Sequence, residues 1–138
     1  MGFREIAQIA GSAMTAQSTR LNTVASNLAN AGAAASSETE AYKARKPVFA
    51  AVMGQSSLES YAARVQVLDV LETTEPVRKA HEPENPVADA SGYVYYSNVN
   101  TVAEMTDMMS ASRAFETNVE VLSRIRTMQQ NLLKLGEG

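Results

Sequence analysis

The chain has 138 residues, the size of one ordinary domain, and its 45% hydrophobic content supplies a core and excludes wholesale disorder. A net charge of −3, from 12 basic and 15 acidic residues, leaves no basic footprint and excludes nucleic acid as a partner. Cysteine is absent, which excludes disulfides, thiolate nucleophiles and Cys-ligated zinc, and no apolar run nears the ~18 residues of a membrane span, so no direct membrane insertion is expected.

Residues 2–31 read as a helix. Phe3, Ile6, Ala10, Ala13, Gln17, Leu21, Val24 and Leu28 recur at alternating spacings of three and four, one stripe of a helix roughly 40–45 Å long. Gln8, Ser12, Thr15 and Gln17 also interrupt any apolar segment of a cleavable signal peptide, so export is expected to use a route that does not read one. Residues 33–40 are small and polar, a linker by composition. Residues 42–52 and 61–71 carry the β-branched and aromatic residues of strands. Pro76, Pro83 and Pro86 exclude a helix across their stretch. Asp89 to Gly92 reads as a turn, and Tyr93 to Tyr96 as a short strand.

Residues 101–135 form the second helix. Thr101 and Glu104 have capping-box spacing, and Val102, Met105, Met109, Ser112, Phe115, Val119, Leu122, Ile125, Gln129 and Leu132 make its stripe. Glu104 and Asp107 stand early and Arg124, Arg126 and Lys134 late, as the helix dipole prefers, and Gly136 marks a stop. The expected fold is mainly α. The long terminal helices pair as an antiparallel, coiled-coil-like hairpin, with a small β-rich insert at its far end. Residues 1–31 plus 100–138 then form a helical domain and residues 32–99 the loop and insert.

The first helix carries only Arg4, Glu5 and Arg20 as charges, and its other faces are Ala, Ser, Thr, Asn and Gln. A helix with one face in water usually carries charged pairs there. Burial on more than one side is expected, with the missing surface from neighbouring subunits, although an ordinary helix that happens to be rich in Ala and Ser would also show this composition. Both stripes are therefore candidate subunit interfaces, with Asn27 and Asn30 as amides bonding across them, although C-terminal capping would also explain the two Asn residues.

Residues that carry chemistry are sparse. His81 is the single histidine, and with Glu82 and Glu84 in a Pro-rich loop it makes a poor metal site. No nucleophile elbow and no Gly-rich phosphate loop occurs. Lys43, Arg45 and Lys46 read as a guarded strand edge, Met105, Met108 and Met109 as adaptable packing, and Tyr93, Tyr95 and Tyr96 as strand packing in preference to a stacking platform. No enzyme activity and no cofactor are expected.

The segment Val24-Ala25-Ser26-Asn27-Leu28-Ala29-Asn30-Ala31 resembles the N-terminal signature of flagellar rod and hook proteins. Ile9 to Asn22, Tyr42-Lys43-Ala44-Arg45-Lys46-Pro47-Val48-Phe49, Asp89 to Val94 with Asn98 to Asn100, and Met109 to Val121 are similar to its proximal-rod members, as is the ending Lys134-Leu135-Gly136. Many relatives place a Thr-Pro-Gly-Tyr turn after the first block. Here residues 32–41 intervene, a loop similar to that of the proximal-rod branch.

The resemblance implies a structural subunit of the basal body, exported unfolded by the flagellar type III apparatus. It implies terminal helices that line a tube crossing the periplasm and are poorly ordered before assembly. The tube transmits torque and conducts exported proteins. Implied partners are copies of the chain, other rod proteins, the export-gate adaptor at the base and the distal rod. Phe3 and Ile6 are similar to the short export-gate signal of such substrates. The residues alone leave two rivals: a dimeric helical adaptor or secretion chaperone, and a small enzyme or wall-binding domain built on the insert. The absence of Cys and the single His weaken the enzyme most.

Overall fold

The computed structural model describes residues 2–53 and 63–138. In chain order the elements are α1 (Phe3–Asn30), β1 (Ala34–Ala35), β2 (Arg45–Met53), β3 (Ala63–Glu72), β4 (Arg78–His81), β5 (Tyr93–Tyr96) and α2 (Thr101–Glu137). The first two residues of the expected strand at 61–71 lie outside the described residues.

Helix α1 starts where the Gly2 N–H finds the Glu5 carboxylate at 2.9 Å, which satisfies one free donor of the first turn. Helix α2 starts one residue earlier in its cap than the Thr101–Glu104 spacing predicts. Asn100 is the N-cap, and its Oδ1 accepts the Ala103 N–H at 3.1 Å. Glu104 is drawn away from any capping role because its carboxylate is buried against α1.

The expected mainly-α hairpin with a small insert is corrected. Of the described residues 51% are helical and 23% lie in strands, and the strands form two antiparallel sheets, so the fold is α+β. One sheet has the order β1-β5-β4, with Ala34 opposite Tyr96 and Lys79 opposite Tyr95. The other is the long β2–β3 hairpin, in register from Arg45–Glu72 to Met53–Ala63 with a shift between Val48 and Phe49. That shift leaves Leu68 without a partner, the mark of a bulge.

The hairpin is not confined to one end of the helices. At its base Asn27 bonds the Arg45 backbone (2.8 and 2.9 Å). Towards its tip the Val65 N–H donates to Ser12 Oγ (3.1 Å) and the Arg64 guanidinium to Gln8 Oε1 (2.8 Å). It thus runs back along α1 over about five turns. Helix α2 takes another side of α1, where Asn27 meets Glu104 and Arg20 meets Asp107 in an ion pair. These contacts explain the low charge of α1 from within the chain. The hairpin covers a side of the helix that the composition alone assigned to neighbouring subunits. What stays exposed is Arg4 and a narrow strip of Thr15, Ser18, Asn22, Ala25 and Ala29.

The three-stranded sheet closes the end where α1 stops and α2 starts. Val94 at its centre is fully buried. Asn98 stitches this end together: its Oδ1 accepts the Ala44 N–H (2.6 Å), and its Nδ2 donates to Thr73 Oγ1 (3.0 Å) and the Glu75 carbonyl (2.8 Å). The expected turn forms with Gly92 at φ 79, where Gly92 N–H donates to the Asp89 carbonyl at 3.0 Å.

Candidate assembly surface

The predicted stripe residues divide between the inside and the outside of the chain. On α1, Ala10, Val24 and Asn27 are buried, while Phe3, Ile6, Ala13, Gln17, Leu21, Leu28 and Asn30 are half-buried. Asn27 spends its amide inside the chain, and Asn30 Nδ2 returns to the Ser26 carbonyl of its own helix at 2.8 Å. Gln17 Oε1 is buried and has no hydrogen-bond partner among the described residues.

On α2 the division is by face. Ile125 is buried, and Ser112, Phe115 and Leu122 are half-buried. Val102, Met105 and Met109 are 73%, 57% and 61% exposed, and Val119 and Leu132 are also exposed. The face turned to α1 runs through Glu104, Met108, Ala111, Phe115, Leu122 and Ile125. At 100° per residue the outer set of Val102, Met105 and Met109 lies about 130° round the axis from it. Helix α2 therefore carries a second apolar face. From Arg126 onward every side chain is exposed, including Met128, Leu133 and Leu135.

Sequence reasoning missed the apolar side of the hairpin. Phe49, Val52, Met53, Leu68 and Leu71 are exposed. Pairing places Phe49 and Met53 on the same face as Val67 and Ala63, and Val52, opposite Arg64, on the other, so the consecutive pair Val48-Phe49 was the signal that both faces carry apolar residues. Together these areas exceed the scattered apolar residues of an ordinary monomer surface.

The groups with chemical potential are engaged in structure. Arg78 lies over the Tyr96 ring (4.8 Å), Lys79 over Tyr93 (4.0 Å), and His81 packs edge-on to Tyr93 (4.9 Å). Arg45 sits 5.7 Å from the Tyr42 ring and 3.6 Å from Glu72. The Glu82 carboxyl is held below its ordinary range, chiefly by the Asn85 side chain and then by the Tyr96 hydroxyl. Asp89 is lowered chiefly by the Tyr93 N–H, with the Ser91 N–H adding to it, and Tyr96 is raised because it donates to Glu82. Among the described residues no three His, Asp or Glu side chains come together as a metal site. No helix there is long and apolar enough to cross a membrane.

A fold that exposes apolar residues along a helix and a hairpin defines a structural subunit built to assemble. The comparisons agree. The family model described as "Flagella basal body rod protein" matches residues 8–32, and "Flagellar basal body rod FlgEFG protein C-terminal" matches residues 90–135. Proteins called flagellar basal-body rod protein FlgC are 44% identical in Escherichia coli O6:H1 and 43% in Salmonella typhimurium, each over 99% of this chain and 100% of the relative. The one from Aquifex aeolicus is 40% identical over 83% of each chain. The chain belongs to the FlgC family of flagellar basal-body rod proteins, which are structural and non-enzymatic.

Proposed function

We propose that the chain polymerises through its terminal helices, residues 1–31 and 100–138, into the proximal part of the rod, a tube crossing the periplasm. The observation that carries this reading is the outward apolar face of α2, with Val102, Met105 and Met109 exposed, together with exposed Val119 and, beyond the last buried residue Ile125, exposed Leu132, Leu133 and Leu135 on other sides of the helix. The complementary surface is the small strip Thr15, Ser18, Asn22, Ala25 and Ala29 on α1, which lets a neighbouring helix approach closely and costs little to desolvate. These are two different surfaces on one chain. A contact between unlike surfaces generates a helical array where its rotation does not close into a ring. Torque then passes through shared buried helix surface, and exported proteins pass through the lumen.

Family membership supports assembly with other rod components. The finer partners proposed are the export-gate adaptor below, the distal rod above, and the type III apparatus that exports the chain without a cleaved signal.

The test is Val119→Asp and Met105→Asp in the source bacterium. Both positions face solvent, so the chain is expected to reach normal levels and fold while motility and rod assembly are lost. Normal swimming in both variants would sink the reading. Leu28→Asp is also expected to abolish motility, but Leu28 is half-buried within the chain, so that variant tests folding and contact together.

A further inference from the structure

We propose that Asn27 sets the axial register of α2 against α1 and seats the β2–β3 hairpin on the same point. Its side chain is 0% exposed and fills every hydrogen-bonding capacity it has. Oδ1 accepts the Arg45 N–H (2.9 Å) and the Tyr42 hydroxyl (2.9 Å). Nδ2 donates to the Arg45 carbonyl (2.8 Å) and to the Glu104 carboxylate (3.1 Å). Accepting from and donating to the same residue is what a neighbouring strand would do, so the carboxamide stands in for a strand at the first residue of β2. The Arg45 peptide also fixes the orientation of the amide, because the reverse would oppose two donors. Asp lacks the donors, Gln is a methylene too long, and Ala offers neither group.

Such a device adds axial information to an apolar contact in which large side chains such as Phe115, Leu122 and Ile125 alternate with small ones. The face α2 buries centres on Ala111, and two of the buried residues of α1 are Ala10 and Ala16. Small side chains slide past one another with few shape constraints. Buried polar pairs are the best-attested means of fixing helix register. A slip of one turn, about 5.4 Å, would part Glu104 from Asn27 and leave a buried carboxylate and one amide N–H without partners.

The absence of native cysteine makes the register readable by engineered disulfides in the full chain. Arg20→Cys with Asp107→Cys reports the native register, and Arg20→Cys with Ala103→Cys reports a one-turn slip. Replacing Arg20 and Asp107 also removes their ion pair, so register then rests on Asn27 and Glu104. We expect the native pair to oxidise about tenfold faster or more, the factor that one charge-assisted buried hydrogen bond supports. In Glu104→Leu the preference should fall to about threefold or less with helicity retained, and in Glu104→Gln, which keeps an acceptor for Nδ2, it should persist. The proposal is overturned if the parent shows no preference, if a helical Glu104→Leu chain keeps it, or if a helical Glu104→Gln chain loses it.

Discussion

Two carboxylates at the end of the molecule make its folding sensitive to acid. Asp89 Oδ1 accepts the Ser91 and Tyr93 N–H groups at 2.8 and 2.9 Å and shapes the turn before β5, and Glu82 accepts from Asn85 and Tyr96. Both carboxyls are lower in the folded chain than their ordinary values of 3.8 and 4.5, so the unfolded chain binds protons first. Their contribution is therefore full above those values and is lost as pH falls through the folded ones. The melting midpoint should drop between pH 5 and pH 3, and Asp89→Asn should flatten that drop. An unchanged pH profile in Asp89→Asn would remove Asp89 from this role. Gly92 is the neighbouring backbone constraint. A Cβ there would sit at φ +79 and 3.1 Å from Pro83 Cβ, so Gly92→Ala should cost about 1–2 kcal/mol in urea unfolding. Gln17 acts in the opposite sense. Its orphaned Oε1 is a buried acceptor without a bond, and Gln17→Met should raise stability by about 1 kcal/mol.

At the scale of elements, the helices were legible because their signals are local. Stripe spacing, the absence of proline and the charge order all lie within each segment, and the boundaries 3–30 and 101–137 follow closely. The choice of face on α2 was not legible. Val102, Met105 and Met109 form one apolar set and Met108, Ala111, Phe115, Leu122 and Ile125 another, and only the second is packed on α1. Sequence periodicity finds an apolar face but cannot say which partner covers it. Strands β1 and β4 escaped because Ala34-Ala35 has no β-forming residue and Arg78–His81 lies among prolines. Both exist because β5 pairs with them on its two edges. The register role of Asn27 was hidden for a similar reason. Its partners Tyr42, Arg45 and Glu104 are distant in sequence, and an Asn near a helix end has an ordinary explanation in capping. The cap itself gives a test: Asn100→Ala should cost about 1 kcal/mol and shorten α2 at its start by amide exchange, because the Ala103 N–H loses its acceptor.

At the scale of the whole molecule, the chain satisfies α1 largely by itself and α2 only in part. Helix α1 has the hairpin on one side and α2 on another, whereas among the described elements α2 packs on α1 alone and outruns it. Its 37 residues span about 55 Å against about 42 Å for the 28 of α1, and residues 126–138 bury nothing within the chain. A segment with no buried side chain contributes little beyond helix propensity to folding, yet this one holds Met128, Leu132, Leu133 and Leu135. Apolar side chains left exposed at the end of a helix are best explained by a contact made after assembly. Removing residues 128–138 should therefore change the unfolding free energy of the isolated chain by no more than about 1 kcal/mol, within what exposed positions usually cost. The same truncation should abolish rod assembly and swimming. A large loss of stability on truncation would mean that the overhang folds back on its own chain, and normal swimming would mean that the outer face of α2 alone is enough to build the rod.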